Sequence, residues 1–113
     1  MKGVRQPLLD MLASIGRIEQ FSAKGEEIFR HSRENQDAII RNFEVLGEAV
    51  KRLPAKVRED AGDIPWTSIA GFRDVLVHQY DKVDLDVVWQ IIRVQLPALK
   101  QQLQALLEKL PAP

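Results

Sequence analysis

Four residues about two-thirds of the way along the chain have types that could do chemistry together: Arg73, Asp74, His78 and Tyr80, in the stretch RDVLVHQY. An arginine and a histidine suffice for phosphoryl transfer within RNA, in which the ribose 2′-hydroxyl attacks its own phosphate. The imidazole moves a proton as general acid or base, and the guanidinium stabilises the charge on the phosphate. Asp74 lies four residues before His78, so a hydrogen bond between them would fix the imidazole tautomer and favour its charged form. A position at a helix C-terminus acts in the same direction. At about 100° per residue, Arg73 and Tyr80 fall on nearly one side of a helix, whereas Arg73 and His78 differ by about 140°. The motif is therefore not a one-face triad. One histidine supplies half of an acid–base pair, and a two-fold dimer would bring a second histidine and arginine to a shared cleft. The plainer reading of the same residues is a solvated or capping helix end, with Tyr80 continuing the core stripe after Leu76.

The elements that must position these residues read as helices. From Pro7 to about Phe21 the apolar residues Leu8, Met11, Leu12, Ile15 and Ile18 follow helical spacing. Pro7 suits a first helical position. Ser22 to Gly25 breaks the pattern, EEIFRHS adds a short turn of helix, and Ser32 reads as a cap. A second long helix from about Asn35 to Leu53 carries the stripe Ile39, Phe43, Leu46, Val50 and Leu53, and Pro54 ends it. PAKVREDAGDIP reads as a short helix or turn followed by a loop. A third helix opens at Pro65 and runs to near Tyr80. Asp84 caps the last helix, with Val83 and Val88 as a hydrophobic staple, and Pro97 is expected to kink it by removing the bond to the Arg93 carbonyl. No segment alternates as a strand does. The expected fold is all-α, an antiparallel bundle of four principal helices with short helical turns, forming one domain over residues 1–113.

Composition narrows the function classes. Across 113 residues, 16 Lys and Arg balance 16 Asp and Glu, so net charge announces no polyanionic partner. Any field that holds RNA must come from a few local arginines, doubled by oligomerisation. The absence of cysteine excludes disulfides, thiolate metal sites and cysteine nucleophiles. Arg5, Asp10, Arg17 and Glu19 interrupt any signal-peptide core, and no later segment reaches spanning length, so a cytoplasmic location is expected.

The motif R-x-x-x-x-H-x-Y, realised as Arg73, His78 and Tyr80 with Asp74 after the arginine, resembles the signature of the HepT-like branch of the HEPN superfamily. Three stretches, the second of which contains the motif, resemble that branch in order and spacing: QDAIIRNFEVLGEAVKRLP from Gln36, IPWTSIAGFRDVLVHQY from Ile64, and VDLDVVWQII from Val83. The resemblance implies a homodimer with Arg73 and His78 of both chains lining a cleft. It also implies metal-independent ribonuclease activity, no cofactor, and service as the toxin of a toxin–antitoxin pair. The implied partner is a minimal nucleotidyltransferase antitoxin that transfers AMP to Tyr80, adding bulk and negative charge beside Arg73. The alternative is a non-catalytic helical subunit that binds a nucleotidyltransferase.

Other polar residues take plainer readings. His31 lies among Arg30 and Arg33 as a surface or capping residue. Arg41, Glu44 and Glu48 read as a solvated face or as partners in salt bridges between subunits. Gly47, in mid-helix, reads as a close contact with another helix. Trp66 and Trp89 read as core or interface anchors, and Asp81, Asp84 and Asp86 as caps and solvated charges.

Overall fold

The computed structural model describes residues 3–111, and every regular element among them is helical. Helix α1 spans Arg5–Ser22, α2 Glu26–His31, α3 Arg33–Arg52, α4 Ala55–Asp60 and α5 Trp66–His78. A 3₁₀ turn at Tyr80–Lys82 leads to α6 (Leu85–Gln90), a π-helical turn (Ile91–Gln95) and α7 (Leu96–Glu108).

Helix α3 lies between α1 and α5, and its stripe is the centre of the core. Ile39, Phe43, Leu46, Val50 and Leu53 are all buried, against Leu8, Met11, Ile15 and Ile18 of α1 and Leu76 of α5. The neighbours run antiparallel. Arg52, ending α3, pairs with Asp10 near the start of α1, while Asn35 at the start of α3 donates to the Phe21 carbonyl at the end of α1. Helix α7 returns along α1, where Lys100 pairs with Glu19. Among the described residues no helix is long and apolar enough to cross a membrane.

Local chemistry sets the boundaries. Gly25 takes φ of 102°, a left-handed conformation that lets the chain turn sharply from α1 into α2. The Ser32 hydroxyl accepts from the Asn35 amide at 3.1 Å, and Asp84 accepts from the amides of Asp86 and Val87, so both expected caps form. Trp66 is buried with its indole N–H donating to the Ala61 carbonyl, and Trp89 stacks on Phe29, so both are core anchors.

Two expectations need correction, and the Pro97 region gains a detail. Helix α1 begins at Arg5, which places Pro7 third in the helix; its missing N–H still falls within the first turn, where no intrahelical partner exists. Helix α5 stops at His78, so Tyr80 belongs to the 3₁₀ turn, is 42% exposed and does not extend the core stripe. In the last rod a π turn at Ile91–Gln95 immediately precedes Pro97, which stands second in α7 and cannot donate to the Arg93 carbonyl.

Candidate active site

The site is built where α3 and α5 touch. Gly47 is buried on α3, and a Cβ placed there would collide with the Arg73 Cβ, lie 2.9 Å from its Cγ and 3.2 Å from the Ile69 carbonyl oxygen. The missing side chain lets the two backbones approach, as expected for this glycine, and the stem of Arg73 fills the space. The residues flanking Gly47 on α3 therefore reach the arginine head.

Arg73 Nη2 donates to Glu48 Oε1 at 2.7 Å and its Nη1 to Asp74 Oδ1 at 3.2 Å. Lys51, the next turn of α3, donates to the same Asp74 oxygen at 2.8 Å. Two cations and two carboxylates thus form one cluster. Asp74 first and Glu48 second hold the guanidinium more firmly protonated than usual. Lys51 first and Arg73 second hold the Asp74 carboxyl below the ordinary carboxylate range. The Arg73 Nε is buried without a hydrogen-bond partner. These constraints fix the arginine, whose side chain is only 22% exposed.

His78 is the last residue of α5, exposed at the helix C-terminus. The expected Asp74–His78 pair is not formed. Lys51 and Arg73 both donate to Asp74 Oδ1 instead, and charge-assisted bonds of that kind are the strong ones. His78 is left open to solvent.

Tyr80 is not beside Arg73, contrary to the geometry of a continuous helix. Its hydroxyl donates to Asp37 of α3. Asp37 precedes Glu48 by 48 − 37 = 11 residues on that helix, or about 16 Å along its axis. The Asp37 hydrogen bond first and burial second push the phenol pKa up, while Arg33, one turn before Asp37, opposes the rise. The structure therefore joins Arg73 to Asp74, sets His78 at the open end of the same helix, and ties Tyr80 to a different part of α3.

Of the remaining candidates, Arg41 pairs with Glu44 and His31 with Glu27 at the surface, and Asp86 pairs with Arg30 at 2.6 Å. Glu48 and Lys51 were not singled out as site residues in the sequence, although their closeness to Gly47 was a usable signal: whatever flanks a close helix contact faces the other helix. Asp37 had no such signal, because its partner lies 43 residues away.

Comparison with known proteins places this geometry in context. A family model described as "Ribonuclease HepT-like" matches residues 11–106. A Methanocaldococcus jannaschii protein named "Gamma-glutamylcyclotransferase and putative RNase" is 39% identical over 110 residues, covering 96% of this chain and 50% of the relative. A "Putative RNase" of Caldanaerobacter subterraneus is 42% identical over 72 residues, 64% of each chain. A "Probable ribonuclease HepT" of Thermococcus cleftensis is 35% identical over 100 residues, 88% of this chain and 91% of the relative. The chain thus spans half and just under two-thirds of the lengths of the first two. No solved structure matches.

Proposed function

The chain belongs to the HepT-like ribonuclease family, and on that premise we propose that it is a metal-independent endoribonuclease toxin, acting as one domain and cleaving RNA in a cleft between two copies. The observation that carries this reading is on α5: Arg73 is held rigidly by Glu48 and Asp74, and five residues on, at the open end of the same helix, His78 is exposed. A fixed cation and an accessible imidazole are the two groups that the reaction needs.

In the proposed reaction the 2′-hydroxyl attacks the adjacent phosphorus, the O2′–P bond forms and the P–O5′ bond breaks. One His78 takes the 2′ proton and the other protonates the leaving O5′ oxygen. Arg73 of each copy stabilises the charge on the non-bridging oxygens, exchanging a carboxylate for a phosphate as it does so. Dimerisation is supported by the exposed Val75 and Val77, 46% and 40% accessible, which flank buried Leu76 within the motif.

Regulation follows from Tyr80. A nucleotidyltransferase antitoxin transfers AMP to its hydroxyl: the phenolic oxygen bonds to the α-phosphorus of ATP, pyrophosphate leaves, and the phenolic proton passes to base. The added phosphate and nucleoside obstruct RNA.

Purified protein is assayed on RNA in EDTA. Cleavage is expected, with a second-order profile in protein concentration below the dimer affinity. Equal cleavage by wild type and His78→Ala would sink the assignment.

A further inference from the structure

Two cations and one carboxylate oxygen meet where α3 touches α5. Lys51 Nζ donates to Asp74 Oδ1 at 2.8 Å, and Arg73 Nη1 donates to the same oxygen at 3.2 Å. Like charges repel at such separations unless an anion stands between them. The side chains of Lys51 and Asp74 are 45% and 48% exposed, so the carboxylate can turn away into solvent. Arg73 does not depend on Asp74 alone for its place, because Glu48 holds its Nη2 at 2.7 Å and Gly47 leaves room for its stem. An anion from outside can therefore take the position of the Asp74 oxygen while the guanidinium stays clamped.

That position bears on His78. Asp74 precedes His78 by four residues, which puts the two about 40° apart around α5 and about 6 Å apart along it. Arg73 and His78 differ by about 140°. Lys51, arriving from α3, thus brings a cation to the face of α5 on which His78 stands, one turn before it. It also adds to the local positive field that the balanced net charge of the chain does not supply.

Resting on the ribonuclease reading above, we infer that the Asp74 carboxylate is a stand-in for an RNA phosphate and that Lys51 is a second phosphate-binding residue of the site. In the free chain the carboxylate keeps the two cations converged on one point. When RNA binds, Asp74 swings into solvent, a non-bridging phosphate oxygen takes its place between Lys51 Nζ and Arg73 Nη1, and the pair of Arg73 with Glu48 persists. Both exchanged contacts stay charge-assisted.

Fluorescence anisotropy with a fluorescein-labelled single-stranded RNA tests this on the full chain in the His78→Ala background, across a salt series. Asp74→Asn keeps an acceptor oxygen and removes the competing charge, so affinity should rise several-fold; weaker binding overturns the stand-in. The deciding comparison is Lys51→Ala within Asp74→Asn. A lysine whose task is only to pair with Asp74 has no charge left to neutralise there, and its loss changes nothing. A lysine that binds phosphate still matters: affinity should fall several-fold at low salt, alike for RNAs of different sequence, and the slope of log affinity against log salt should flatten by about 0.7. Lys51→Arg should restore that slope. Unchanged affinity and slope in Lys51→Ala overturn the proposal, with urea midpoints showing that each variant is folded. Cleavage by the wild-type chain is scored separately. If it cuts RNA while Lys51→Ala is without effect, the phosphate seat falls and the ribonuclease reading stands; if it cuts nothing while the Lys51 dependence holds, that reading falls and the seat stands.

Discussion

The Arg73 side chain leaves α5 directly over Gly47 of α3, in a space that any Cβ at residue 47 would fill. The position of the proposed catalytic arginine is thus set by a glycine 26 residues earlier, since 73 − 47 = 26. Contact between the two helices is what turns Glu48 toward the guanidinium.

Gly47→Ala should therefore destabilise the fold by about 1–3 kcal/mol through overpacking and reduce cleavage by displacing Arg73. Gly16→Ala is the control, because a Cβ there meets nothing within 4 Å; it should stabilise by about 0.5–1 kcal/mol. Urea unfolding of the two variants reads both signs, and equal midpoints would show that the α3–α5 contact is looser than described.

Removing the reacting groups should separate activity from stability. His78→Ala is expected to lower cleavage by about 10²–10⁴-fold while leaving the urea midpoint in place, because the imidazole is exposed. Arg73→Lys keeps the charge but loses the fork that reaches two carboxylates, and cleavage should fall about 10²-fold or more. Single-turnover rates alongside unfolding curves distinguish these effects from misfolding.

Glu48→Gln should act in the other direction on binding. The amide oxygen can still accept from Arg73, so the guanidinium stays in place, but the cluster loses a negative charge that competes with phosphate. RNA affinity at low salt should rise several-fold and its salt dependence should steepen, as expected when one more phosphate contact is neutralised. Fluorescence anisotropy with the His78→Ala background, which prevents cleavage, measures both. Weaker binding in this variant would mean that Glu48 serves the substrate rather than opposing it.

Stability should fall in acid, and the sign follows from the carboxylates. Lys51 and then Arg73 depress the Asp74 pKa below its ordinary 3.8, and Arg52 and then Gln6 do the same for Asp10. A depressed folded-state pKa adds stability that is present above the unfolded value and lost as pH falls through the folded one. The loss should therefore be confined to pH below about 3.8. Lys51→Ala and Arg52→Ala should each move the acid-unfolding midpoint to higher pH. Circular dichroism across that range reads the shift, and an unmoved midpoint in both would remove the linkage.

The sequence by itself determined the helices, because their causes are local. Spacing places Ile39, Phe43, Leu46 and Val50 on one face of α3, Ser32 and Asp84 cap the helices that follow them, and Pro54 stops α3 whatever its neighbours do. It also carried the stretches on which the resemblance to the family rests, and it marked Gly47 as a close contact. Only the tertiary structure decided which groups meet: Lys51 and Arg73 on Asp74, Glu48 on Arg73, and Asp37 on Tyr80. Those pairings depend on the depth and direction in which α5 crosses α3 and on where α5 ends. Periodicity within a single helix holds no record of either, since it fixes the face a residue occupies and not the partner that arrives there.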